Sequence, residues 1–341
     1  MTVLRKINFF LWRYGILLWA LVISSCEHSN QEVLKPFGSY HLSDFPEFIT
    51  PTEKYFKLNI RGNHDIDPDS YRLKISGGVN HPAEFSLEQL QDLKMVEKTV
   101  TVECIDNNNN GLFLLGTVTW KGFSVYSLLD SLGIKDGVTF VKYHCSDGYF
   151  TYNTLEELQN REVLGALYMN GKTIPQNYGF PLRIIFPGFY GVRQPGWVVE
   201  IELVENGIMD YWGQTQFEKW NTDSSMAIDS KIFFPANYDT FALGENVRIG
   251  GAAYGSRRIS SVDITVDNGK TWIPAIIKQS MDEDYVWVFW EVNYTPLSPG
   301  PLIINSRSTA TDGRVQPQED YNYLDGTNSW PAITIFLKNG S

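Results

Sequence analysis

The chain is poor in the residues that usually announce a metal or nucleotide site. It has three cysteines and five histidines in 341 residues. No Cys-x-x-Cys or His-x-x-Glu-His spacing occurs, so no zinc site is indicated. Without Cys-x-x-Cys-His there is no signal for an attached c-type haem. Gly-x-Ser-x-Gly, a Walker loop and a dinucleotide fingerprint are all missing. Positive charge is also scarce: 28 Lys and Arg stand against 39 Asp and Glu, for a net charge of -11. No Lys/Arg block interrupts this acidity, and nucleic acid is excluded as a partner because phosphate binding needs a positive face. His28, His41, His64, His81 and His144 form no spaced cluster and read as surface or turn residues.

Apolar residues, by contrast, are plentiful. They make up 43% of the chain, enough for two domains with their own cores. Aromatics reach 14%, with 10 Trp, which suits β-rich packing and aromatic-lined pockets. Residues 1–25 are of another kind. Arg5, Lys6 and Arg13 precede an apolar run from Tyr14 to Ile23, the basic-then-apolar order of an export signal. The run is short for a membrane span. It ends in "VISSC", which resembles the lipobox of bacterial lipoproteins. That resemblance implies lipidation of Cys26 and a membrane anchor on the periplasmic or cell-surface side of a bacterial envelope. An ordinary secretory signal and a single anchor helix are the competing readings. Residues 26–50 are polar and Pro-containing and read as a tether.

Beyond the tether, strands and short helices alternate without a regular βαβ repeat, which predicts an α+β domain over 51–234. Residues 71–79 read as a strand ending in Gly-Gly. Residues 86–95 read as a helix with Ser86 as N-cap and Gln89 three residues on. Helical turns are also predicted in "SVYSLLDSLGI" and "TLEELQN". Strands are predicted in "KTVTVEC", "VTFVKYHC", "PLRIIFPG" and "GWVVEIELVE". From residue 235 onward strands recur at near-regular spacing, with "DNGKTW" as a hairpin turn. The expectation is a separate antiparallel β-sandwich of immunoglobulin type over 235–341.

One strand raises a chemical question. "VTVEC" alternates and delivers Cys104 into the turn-prone run Asp106–Asn110. A buried structural cysteine needs no such setting. A second unusual stretch, "LYMNGKTIPQNYGFPLRIIFPGFYGVRQPGW", orders Met-Asn-Gly, Gly-Phe-Pro-Leu-Arg, Pro-Gly, Gly-x-Arg and Trp. With "CIDNNNNG", "GTVTWKGFSVYSLLDSLGI" and "SDGYFTYNTLEEL", it resembles the molybdopterin-binding domain of the sulfite oxidase family. The later "VDITVDNGKTW" and "VWVFWEV" resemble the family's dimerisation domain, so a homodimer is an allowed partner.

The resemblance implies a molybdenum-molybdopterin cofactor. It makes Cys104 the metal ligand, since thiolate is a soft donor suited to thiophilic redox metals. It marks Asn59, Asn107, Asp147, Tyr178, Arg183 and Arg193 as cofactor-binding positions. Asp147 and Tyr149 join Cys104 as candidate catalytic residues. Cys145 sits in a different local setting, which weighs against a disulfide with Cys104. Departures from the family pattern are equally informative. Tyr178 stands where a histidine is usual and Gly196 where a lysine is usual. Asn109 and Thr119 stand where sulfite oxidases carry arginines, and Phe217 where they carry a catalytic tyrosine. Binding an oxyanion needs convergent positive charge. Thr119, Tyr149, Tyr190, Asn109 and Phe217 instead predict a pocket for a neutral small-molecule substrate. With no haem site, electrons must be exchanged with a separate partner. The alternative is a cofactor-free relative serving as a surface scaffold lipoprotein.

Overall fold

A computed structural model describes residues 45–60, 62, 64–107, 114–206, 209–214 and 225–339. The export signal, Cys26, Asn109 and Phe217 lie outside the described residues. The first domain contains β1 (Arg72–Gly77), β2 (Ala83–Ser86), α1 (Leu87–Gln91), β3 (Met95–Glu103), β4 (Leu115–Ser124) and α2 (Val125–Ser131). It continues with β5 (Phe140–Cys145), β6 (Phe150–Thr154), α3 (Leu155–Asn160), β7 (Leu164–Met169), β8 (Lys172–Thr173), β9 (Arg183–Ile185), β10 (Val198–Val204) and α4 (Tyr211–Gln214). Two sheets result. One runs β2-β1-β10-β5-β6, with β1 and β10 parallel; the other runs β3-β4-β7-β8, with β9 on β7.

The helices start where the sequence says they should. Ser86 and Thr154 each form a reciprocal capping box, with Gln89 and Glu157 respectively. Ser124 caps α2 through the Ser127 amide. α1 ends at Gln91, so the expected helix to residue 95 is too long; Met95 already begins β3. Leu90, Val125, Leu128, Leu129 and Leu158 bury the helices' apolar faces on the first sheet, against Leu73, Ile75, Val141, Tyr143 and Ile201.

The second domain is a β-sandwich. Its strands are β11 (Asp229–Phe234), β12 (Thr240–Ala242), β13 (Val247–Tyr254), β14 (Ile259–Thr265), β15 (Ile273–Pro274), β16 (Ile276–Gln279), β17 (Val288–Tyr294), β18 (Gly300–Ala310) and β19 (Ala332–Lys338). One sheet is β11-β13-β17-β16 and the other β12-β19-β18-β14-β15. Ile249, Val262, Ile264, Trp290, Ile304 and Ile335 fill the space between them. The "DNGKTW" segment does turn β14 back onto β15, with Asn268 and Gly269 both at positive φ.

Two boundaries differ from expectation. β11 pairs with β13, so the sandwich takes in residues 229–234, which the sequence reading gave to the first domain. The end of the expected tether is also packed. Phe45 stacks on Phe289, Phe48 is buried, and the Trp287 indole donates to the Phe48 carbonyl at 2.9 Å. Burying a phenylalanine stabilises by roughly 1.5–3 kcal/mol, which explains why this polar-looking segment is held. Phe48, Ile105, Leu115 and Tyr190 meet Phe233, Tyr254, Trp287 and Phe289 in one apolar seam between the domains.

Candidate cofactor-binding site

The alternation of β3 decides which way its last residues face. Val100, Val102 and Cys104 point into one buried cluster with Val118, Trp120, Leu164, Tyr55 and Tyr178. Thr99, Thr101 and Glu103 point the opposite way. Thr99 and Thr101 bond across to Thr119 and Thr117 of β4. Thr101 also receives the Trp287 amide of the second domain at 2.8 Å. Strand β3 therefore holds Cys104 toward this cluster and Glu103 toward the sandwich.

Cys104 ends its strand in a defined manner. Its amide donates to the Leu114 carbonyl at 2.9 Å, and its carbonyl receives the Asn107 amide at 3.0 Å. Burial pushes its thiol up to about 12, against the pull of the Asp106 backbone amide, which donates to the sulfur. Left alone it is a neutral thiol; a bound cation is what would hold it as thiolate. Cys104 and Cys145 are both free, so no bridge joins them.

Around this cluster the polar groups are not satisfied. Among the described residues, the Tyr55 hydroxyl, the Trp120 indole nitrogen and Arg183 Nε are buried with no hydrogen-bond partner. The three groups are neighbours. The Tyr55 and Trp120 rings are 6.0 Å apart, and the Arg183 guanidinium lies 5.6 Å from the Trp120 centroid. Arg183 Nη1 donates to the Tyr178 carbonyl at 3.2 Å. No carboxylate pairs with this guanidinium among the described residues; its acidic neighbours are Tyr55, Tyr178 and Cys145. Burial lowers its pKa and pushes the Tyr55 phenol up to about 12.

A buried donor left unsatisfied costs about 1–3 kcal/mol, and a buried unpaired charge more. Such groups are tolerated together where a polar, anionic ligand completes them. A pterin carrying a phosphate fits this donor set. A metal at Cys104 would need ligands besides protein, because among the described residues no group of three His, Cys, Asp or Glu is placed to hold one. A dithiolene would supply them.

Of the residues expected from sequence, Cys104 and Tyr178 belong to this cluster, and Arg183 adjoins it through the Tyr178 carbonyl, with Cys145 as its nearer cysteine. Tyr178 is buried and donates its hydroxyl to the Tyr55 carbonyl at 3.0 Å. Asn59 is half-buried on the segment that follows Tyr55. Asn107 is turned away: its amide donates to Glu103 Oε1 at 2.8 Å. Arg193 is enclosed by Tyr152, Phe186 and Phe189, and reaches Glu157 Oε2 at 3.4 Å. Asp147 is buried in the turn after β5 and accepts the Tyr149 amide at 2.9 Å. Tyr149 donates to the Val192 carbonyl and packs on Tyr211, beside Cys145.

The expected pocket residues are dispersed. Thr119 faces Thr99 on the opposite side of β4 from Trp120, because successive strand residues alternate. Tyr190 is buried in the seam between the domains, where its hydroxyl accepts the Ala227 amide at 3.1 Å.

The structure also explains one departure. A Cβ at Gly196 would lie 2.7 Å from the Gly179 Cα, so the two loop backbones touch. Gly179 itself has φ +102°. No side chain fits at 196 without moving that loop.

Sequence reasoning missed Tyr55, Lys57 and Trp120. Trp120 was visible in "TWKG", whereas Tyr55 and Lys57 sit in a stretch with no motif.

The comparisons with known proteins agree with this geometry. Residues 60–212 match the family described as oxidoreductase molybdopterin binding domain. Residues 221–337 match the Mo-co oxidoreductase dimerisation domain. The chain belongs to the sulfite oxidase family of molybdopterin oxidoreductases, as a divergent member. It is similar to the mitochondrial sulfite oxidase of Homo sapiens, 26% identical over 85% of this chain and 62% of that protein. It therefore spans less than two thirds of the human protein's length. The sulfite oxidase of Arabidopsis thaliana is 23% identical, over 85% of this chain and 88% of its own. The fold is that of the sulfane dehydrogenase SoxCD from Paracoccus pantotrophus, with a TM-score of 0.78 at 19% identity, covering 90% of this chain and 86% of that one. Family membership implies a molybdenum-molybdopterin cofactor.

Proposed function

We propose that this chain is an exported, lipid-anchored molybdenum oxidoreductase in which Cys104 ligates the metal. The observation that carries this reading is the set of three unsatisfied buried donors around the Cys104 cluster, one of them on an arginine with no carboxylate partner. When bound, the molybdenum centre supplies oxygen-atom or electron transfer.

The chain's own residues perform binding and orientation. Strand β3 and the Leu114 carbonyl fix the Cys104 backbone, and the Asp106 amide stabilises its sulfur as thiolate. Arg183 and the Trp120 indole would donate to the pterin and its phosphate. Tyr178 holds Arg183 in place through its carbonyl. The surrounding cluster of Val100, Val102, Val118, Trp120 and Leu164 excludes water, which strengthens each of these contacts.

The substrate is a neutral oxo-compound rather than sulfite. Asn109, Thr119 and Phe217 stand where the resemblance places two arginines and a tyrosine in sulfite oxidases. Thr119 also faces away from the Cys104 cluster, so it contributes nothing to an oxyanion site. Electrons pass to or from a separate partner protein. Cys26 carries the lipid anchor, and the second domain allows a homodimer.

The test is metal and pterin analysis of the chain purified from its native host. Molybdenum and pterin in near-equal amount with protein support the reading. Protein that is folded and free of both overturns it.

A further inference from the structure

We propose that Tyr55 and Lys57 are cofactor-binding residues, which replace the cationic contacts that this chain lacks at Tyr178 and Gly196. The inference rests on the reading that a molybdopterin occupies the site. It concerns which wall of the site binds it.

The loop wall is poor in charge. Gly196 has no room for a side chain, since a Cβ there meets Gly179 at 2.7 Å. Tyr178 is buried and spends its hydroxyl on the Tyr55 carbonyl. That wall therefore offers Arg183 as its cation.

The opposite wall is the segment leading into β1, and it brings what is missing to the same spot. Lys57 Nζ lies 4.5 Å above the Tyr178 ring centroid. No carboxylate pairs with Lys57 among the described residues, and its stem is half-buried. Arg183 holds the carbonyl of the same tyrosine. Lys57 thus sits over the Tyr178 ring while Arg183 holds its carbonyl, two cations that form no ion pair among the described residues, although the Glu53 carboxylate also acts on this tyrosine; cations held this way suit a phosphate.

Tyr55 adds a directed donor. It is buried, its ring is 6.2 Å from Tyr178 and 6.0 Å from Trp120, and its hydroxyl has no partner. A phenol in that state destabilises the empty protein. It gains a role only when an acceptor arrives.

The two residues differ in what their removal does to the empty protein. Tyr55→Phe deletes only the unsatisfied hydroxyl. Its cofactor-stripped form is expected to melt at or above the parent's temperature, while the loaded form releases pterin roughly tenfold faster or more. Lys57→Met is expected to speed release by a similar factor, and Lys57→Arg to restore most of the retention. Lys54, exposed and paired with Glu47, provides the control; Lys54→Met should match the parent.

Full-length variants purified from the native host are dialysed, and molybdenum and pterin per protein are followed with time. Faster loss in Tyr55→Phe and Lys57→Met, with stripped proteins that melt no lower than the parent, supports the inference. Parent-like retention in both overturns it and leaves the parent's loading intact. A parent chain carrying no pterin overturns the underlying functional reading as well.

Discussion

Replacing Lys231 by methionine probes the joint behind the metal ligand. Lys231 Nζ lies 2.7 Å from Asp229 Oδ2 and 3.8 Å from Glu103 Oε1, with all three side chains at most 5% exposed. The Tyr254 hydroxyl lies 2.6 Å from Glu103 and 3.1 Å from Asp229, and its single proton serves one of them at a time. Asn107 and Gln316 complete the carboxylates from either domain. Burial raises the pKa of Glu103 and Asp229, and the Lys231 charge opposes that. Methionine at 231 leaves two buried carboxylates without their cation. Breaking a buried ion pair from one side costs about 3–5 kcal/mol, or on the order of 10 °C in melting temperature for a protein of this size. Urea titration of the cofactor-free protein, followed by tryptophan fluorescence, reads the loss. Adding Asp229→Asn should recover a large part of it, because the two side chains are in contact. Since Glu103 precedes Cys104 on β3, Lys231→Met should also speed alkylation of Cys104 relative to Cys145. A loss below about 1 kcal/mol, or strict additivity in the double variant, would refute the reasoning.

Other consequences concern the site and the anchor. Arg183→Gln removes a guanidinium that has no carboxylate partner among the described residues, so the empty protein should lose little stability while pterin content falls to background. Sulfite should be turned over negligibly by molybdenum-loaded protein. Two lost charged hydrogen bonds weaken an anion by ~10²-fold or more, and saturable turnover at low sulfite in a steady-state assay with an artificial acceptor would contradict this. Mass spectrometry of the mature protein should find an acylated Cys26 at its N-terminus. An intact signal or an unmodified start elsewhere would exclude the anchor.

How far the sequence could be read depends on how local each determinant is. The alternation in "TVTVEC" gave both the strand and the direction of Cys104, because period two is a property of the strand alone. It could not reveal what Glu103 meets, since Tyr254 lies 151 residues further on. Arg183 and Arg193 look alike in their loops. Only the fold shows that Arg193 reaches Glu157, 36 residues earlier, and that Arg183 has no carboxylate partner among the described residues. Phe45 and Phe48 lie in a polar stretch and read as tether until Phe289 and Trp287 are brought against them. β11 was cut from the sandwich because its partner β13 follows only after an intervening strand, β12. The resemblance puts Thr119 at a sulfite oxidase arginine position, yet it faces Thr99, on the opposite side of β4 from Trp120.

That Cys104 holds the metal is tested most directly by molybdenum-edge X-ray absorption on the native protein and its Cys104→Ser variant. The expected result is one fewer sulfur neighbour at molybdenum in the variant, with pterin still bound through Arg183 and its neighbours. An unchanged sulfur count and an unchanged edge would contradict the assignment of Cys104 as ligand.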